Sequence, residues 1–164
     1  GSSGGGRPYG QLGTVRHRGI ELSAAGSVAP GLTVIAGGVL LDPKVRTKAG
    51  SGIDDFRPIG VPRARLLASA DYQLPGTPIH LDGSVQFTSS RKATRDPEAE
   101  VDSLDPTWTV NAGLRSPLKI GKIKSTVRLQ VLNLLNEFSW VVSSSGTMIY
   151  SPARHFRLAL TTEL

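Results

Sequence analysis

Three histidines, His17, His80 and His155, are the first residues to test for chemistry, because imidazole serves both proton transfer and metal binding. They lie far apart at no metal-ligand spacing, and with no cysteine in the chain a thiolate zinc site and a cysteine nucleophile are both excluded. No serine sits in a nucleophile elbow, and Gly121-Lys122 lacks the upstream glycine of a phosphate loop. The sequence therefore offers no catalytic residue, no metal site and no cofactor site, and an enzyme is not expected. The remaining reactive inventory is charge. Lys119, Lys122, Lys124 and Arg128 form a local basic cluster, and the chain carries a net charge of +6 with a pI of about 10.1. A nucleic-acid surface of this kind usually interleaves aromatics for base stacking, and none stand here. Instead Val127, Leu129 and Val131 alternate with the polar residues, which reads as a strand flanked by a solvated turn, with no nucleic-acid partner.

The elements that carry these residues are strands. In residues 79–88, Ile79, Leu81, Gly83, Val85 and Phe87 alternate with His80, Asp82, Ser84, Gln86 and Thr88. Successive strand side chains point to opposite faces, so one face is apolar and the other polar. The same pattern holds in 65–74, where Leu66, Ala68, Ala70, Tyr72 and Leu74 share a side, and in 108–115, 126–131 and 155–164. Residues 18–27 and 32–41 add two more. The expectation is an all-β chain, an antiparallel up-and-down meander of about seven strands, with no helix.

Connections alternate in length. Pro30-Gly31 and Pro75-Gly76 mark tight turns, 116–124 a medium one, and 42–62, 89–106 and 137–153 are long loops. A meander then gathers every long loop at one end. Strands of about ten residues with one greasy face, one wet face and this loop alternation match a wall of a transmembrane β-barrel. The longest nearly apolar run, 32–41, is about half of what a membrane-spanning helix needs. Periodicity alone leaves open a soluble sandwich or lipocalin with the apolar face inward.

Three motifs narrow the choice. Arg16, His17, Arg18, Gly19, Ile20, Glu21 and Leu22 open a strand that ends in a Pro-Gly turn. Asn133, Leu134, Leu135, Asn136, Glu137, Phe138, Ser139 and Trp140 close a strongly alternating one, and Tyr150, Ser151, Pro152, Ala153 and Arg154 lead into the last. In this order the chain resembles the C-terminal part of the β-barrel of TonB-dependent outer-membrane receptors. The resemblance implies a large transmembrane barrel in the bacterial outer membrane, uptake of a ferric siderophore or similar scarce nutrient, and energy supplied through TonB. It departs from the family in ending on Leu164 rather than an aromatic residue, and in Ser151 where glycine is usual. About seven strands cannot close a barrel of roughly 22, and no plug domain is present. Residues 15–164 thus read as a C-terminal portion of such a receptor, with 1–14 a flexible linker or loop remnant. TonB would act through the missing N-terminal part, and lipid would cover the outer face.

Under that resemblance the long loops form the mouth. Arg57, Arg91, Arg95 and Arg154 would line it and attract the carboxylate or catecholate donors of an anionic metal chelate. Trp140 and Tyr150 would add aromatic contact surface, with membrane-interface anchoring as their other role. Arg16 to Leu22 place Glu21 toward the lumen, as a structural residue. The competing reading is a self-contained small β-barrel, binding or structural, completed by an extra strand or by oligomerisation.

Overall fold

The computed structural model describes residues 13–48, 56–94, 96, 98–142 and 147–163. Eleven strands form in chain order: β1 Gly13–Ala29, β2 Leu32–Thr47, β3 Ala64–Gln73, β4 His80–Thr88, β5 Arg91–Lys92, β6 Ser103–Leu104, β7 Thr107–Ile120, β8 Ile123–Leu132, β9 Trp140–Val142, β10 Met148–Tyr150 and β11 His155–Glu163. Seven of them make one antiparallel sheet in the order β1-β2-β3-β4-β7-β8-β11, and β5–β6 and β9–β10 are small separate hairpins. Among the described residues there is no helix.

The turns follow from their residues. Thr77 N–H donates to Leu74 O at 3.1 Å across Pro75 and Gly76, whose φ is 70°. Proline presets the first central position and glycine supplies the positive φ of the second, the requirements of a type II turn. At the β7–β8 turn Gly121 takes φ 63° in the first central position, as a II′ hairpin demands.

Register sorts the side chains. Leu66, Phe87 and Trp108 fall in one cross-strand row; Tyr72, Leu81, Leu114, Leu129 and Leu158 fall in another on the same face. This face is bare: Leu22 is 74% exposed, Phe156 and Leu158 are 73% exposed, and the buried apolar residues among those described, prolines apart, are Ala93 and Leu104. A single layer with an uncovered hydrocarbon face has no core of its own, so lipid must provide the burial that drives its folding.

The opposite face holds charge. Arg115 grips both carboxylate oxygens of Asp71 at 2.7 and 3.0 Å, and His80 Nδ1 lies 2.9 Å from the same group. Arg128 reaches Asp82 at 3.0 Å from two strands away. Gly113 lies between them, and a Cβ there would meet the Asp82 carboxylate at 2.6–2.9 Å, so the missing side chain makes room for the pair. Arg128 is thereby separated in role from Lys119, Lys122 and Lys124, which stay at the β7–β8 turn, and the basic cluster read from the sequence divides.

Several bounds differ from the sequence reading. β1 and β2 have 17 and 16 residues, beyond the roughly 9–11 that cross a membrane. The apolar alternation ends near residues 18 and 41, at Arg18 and Asp42, yet backbone pairing continues to Gly13 and Thr47. Gly13 and Thr14 are therefore strand rather than linker; residues 1–12 lie outside the described ones, as does Leu164. β7 extends through the expected medium turn to Ile120. Pro117 is tolerated there because β4 pairs only as far as Arg115, leaving one edge that needs no donor.

Candidate ligand-binding rim

The sheet places the connections at 48–63, 89–106 and 133–154 together at one end. Within the second, β5 and β6 close a hairpin in which Lys92 Nζ and Asp102 Oδ2 lie 2.6 Å apart. The Lys92 ammonium, hydrogen-bonded to it, holds the Asp102 carboxyl below its ordinary range, with help from Ser103. Within the third, β9 and β10 pair so that Trp140 stands opposite Tyr150. Their rings stack with centroids 4.4 Å apart, and Phe138 meets Trp140 edge-on at 5.4 Å.

Arg91 joins the two hairpins. It is 7% exposed, and its Nη2 donates to Trp140 O at 2.6 Å, with Ser139 Oγ at 3.5 Å. Its Nη1 is buried with no hydrogen-bond partner among the described residues. Burial, and then the nearby charge of Arg65, push the Arg91 guanidinium below its ordinary range. A guanidinium stays charged at neutral pH even so. The result is a cation stripped of most of its water that holds the backbone carbonyl of Trp140 and so fixes the aromatic pair from below.

The 56–63 segment closes in from the other side. Phe56 bridges to Val45 through backbone bonds of 2.8 and 3.1 Å, and Gly60 N–H donates to Lys92 O at 2.8 Å. Arg57 rides on this segment, and its Nε is also buried without a hydrogen bond. Arg154 goes elsewhere: its backbone N–H donates to Asn136 Oδ1 at 2.9 Å and its Nη1 to Leu134 O at 3.4 Å. Of the six residues singled out from the sequence, Arg91, Trp140 and Tyr150 come together, and Arg57 lies on the segment tied to β5. Arg154 caps the start of β11, and Arg95 lies outside the described residues.

Residues whose part the sequence reading missed hold this rim in place. Asn133 adopts φ 52°, a left-handed conformation that asparagine tolerates. Its Nδ2 donates to Glu137 O at 2.9 Å and Pro152 O at 3.0 Å, and its Oδ1 accepts from Glu137 N–H at 3.0 Å. Ser151 accepts from Ser139 N–H at 3.0 Å through its hydroxyl, a bond that glycine at this position could not make. The motif asparagines were the available signal, since paired Asn residues after a strand mark left-handed turns. The hollow under this clamp, about 220 Å³ and lined by Trp108, Asn133, Glu137 and His155, is smaller than ligand pockets usually are. A ligand would meet the rim from outside.

A one-layer antiparallel wall, apolar on one face, charged on the other and looped at one end, is the wall of a transmembrane β-barrel. Residues 1–134 match the profile of the TonB dependent receptor-like β-barrel family, and the chain belongs to that family. No curated protein matches the chain at the sequence level. Among solved structures, it is similar to the ferric preacinetobactin receptor BauA of Acinetobacter baumannii (TM-score 0.78, 22% identity, 91% of this chain and 22% of that one). It is also similar to the ferric-catecholate import receptor Fiu of E. coli K12 (TM-score 0.72, 21% identity, 95% and 22%). The siderophore receptor PiuA of A. baumannii follows (TM-score 0.69, 16% identity, 90% and 22%). The chain thus spans 22% of the length of each of these three structures. Barrels of this family reside in the bacterial outer membrane, and its members are transporters rather than enzymes.

Proposed function

We propose that this chain supplies wall, lumen lining and mouth loops to an outer-membrane receptor that takes up a ferric siderophore or a similar anionic metal chelate, energised through TonB. Residues 15–164 would be its C-terminal barrel portion. The observation that carries the reading is the aromatic cluster at the loop end, Trp140 stacked on a 66% exposed Tyr150 beside a 59% exposed Phe138, with the Trp140 carbonyl held by Arg91. Ferric chelates of this class present carboxylate or catecholate oxygens, which basic residues at the loop end would attract. Their flat aromatic donors suit a stacked indole and phenol. BauA is named as a receptor for ferric preacinetobactin and Fiu as an import receptor for ferric catecholates, and the family name implies the TonB partner.

The test is binding of a radiolabelled ferric catecholate to the receptor carrying this segment. Trp140→Ala should weaken binding by up to about tenfold, the effect of losing a stacked aromatic contact. Arg91→Gln, which releases the Trp140 carbonyl, should weaken it less. Unchanged affinity in both variants would overturn the reading.

A further inference from the structure

β1 and β2 continue past the apolar band on the loop side, and the lipid-facing row changes character there. From the band outward, Ile20 stands opposite Leu40, Arg18 opposite Asp42, Arg16 opposite Lys44 and Thr14 opposite Arg46. The switch from hydrocarbon to charge takes one cross-strand step. Aromatics stand near the same end of the lipid-facing side: Phe87 and Trp108, one residue from the loop-side ends of β4 and β7, have rings 4.7 Å apart. Aromatic girdles of this kind mark the membrane–water interface. Four exposed cations therefore face outward just beyond the apolar band, where the lipid headgroup region begins.

Their arrangement is unfavourable by itself. Arg16 and Lys44 are like charges directly opposite, which destabilises a strand pair. Asp42 is the one acid in the row, and it is taken by Lys44 at 3.2 Å. Arginine forks match phosphate oxygens bidentately, so an anion of that geometry would relieve the repulsion. Directly beneath lie Ile20, Leu22 and Leu40, exposed and apolar, where acyl chains would rest. Free phosphate has nothing to place there, whereas a phosphorylated lipid fills both levels.

We propose that Arg16, Arg18, Lys44 and Arg46 form an outward-facing site for the phosphate groups of outer-leaflet lipid. It rests on the barrel-wall reading and not on the identity of the chelate. The test uses the receptor carrying this segment, folded in zwitterionic detergent and titrated with bisphosphorylated lipid A or its dephosphorylated form, with bound lipid read by native mass spectrometry. The phosphorylated lipid should bind in preference, and R16Q/R18Q/K44Q/R46Q should lose about fivefold in affinity per cation at low salt. The dephosphorylated lipid should bind variant and parent alike. R16K/R18K/R46K keeps the charge but loses the bidentate contacts, so it should bind between parent and quadruple variant, and the single change R16Q should lose about fivefold if the quadruple variant does not fold. Different gel mobility of unheated and boiled samples reports a closed barrel. A folded barrel that binds both lipids equally, or a folded quadruple variant that binds like the parent, would overturn this site and leave the proposed transport standing. Failure of chelate binding with lipid preference intact would do the reverse.

Discussion

The seven-stranded wall and the two small hairpins above it are held by opposite means. In the wall, backbone pairing is continuous and the apolar side chains stay exposed; Leu22 and Leu158 touch no second layer. In the hairpins the strands are two or three residues long, yet this is where Ala93 and Leu104 are buried and where Arg91 loses its water. The wall takes its stability from the solvent around it. The hairpins take theirs from specific polar contacts, Arg91 to Trp140, Lys92 to Asp102 and Asn133 to Glu137 and Pro152. A wall of this type is generic, because any alternation of the right period will do. A rim built on single hydrogen bonds is particular, and differences between receptors should concentrate there.

The largest break of this contrast is a change of solvent. Moved from detergent to plain buffer, the chain should lose its cooperative β signal in circular dichroism and aggregate, since its apolar face and its sheet edges are uncovered. A monomeric, cooperatively folding protein in buffer would refute the wall reading. Within the wall, Val85→Arg on the lipid face should destabilise by about 2–4 kcal/mol in bilayer unfolding titrations, while Gln86→Arg on the other face should change little. In the rim, Asn133→Ala removes three side-chain hydrogen bonds and strains a positive φ, an expected loss of about 2–3 kcal/mol locally. Limited proteolysis between residues 137 and 153 should then accelerate with the wall intact. Gly113→Ala, which obstructs Asp82 on its way to Arg128, should cost about 1 kcal/mol in the same titrations.

The smallest effect concerns pH. The Asp102 carboxyl is depressed when folded, so its contribution to the β5–β6 hairpin is complete above its unfolded value, near 4, and fades as pH falls through the lower folded value. Protection of the Ala93 amide, which donates to Asp102 O, measured relative to intrinsic exchange at each pH, should fall in that acid window, and Asp102→Asn should remove the dependence.

The strands were legible because lipid and water impose a strict period of two on them, as in 79–88. Legibility ended where that constraint ended. Beyond the apolar band both faces of β1 and β2 meet polar surroundings, so Arg16, Arg18, Lys44 and Arg46 leave no alternation to read although the pairing persists. The hairpins β5–β6 and β9–β10 are too short for any period. The meeting of Arg91 with Trp140 spans 49 positions in sequence and depends on the folding of two loops. Nothing local announces such a contact. The Asn133–Asn136 pair was visible as a motif, but its work as a clamp depends on Glu137 and Pro152 carbonyls that no sequence pattern aligns.

Every neighbour in the large sheet is the next wall strand along the chain, with β5–β6 and β9–β10 set into the connections rather than into the order. The sheet can therefore grow by one hairpin at a time, each new strand finding its template already formed and tethered by a short turn or a loop. Assembly of this kind has low contact order and few long closures, which favours speed. It also has direction: a growing edge is always left open, and the last step of building such a wall is the joining of its first and last edges to whatever completes the circle.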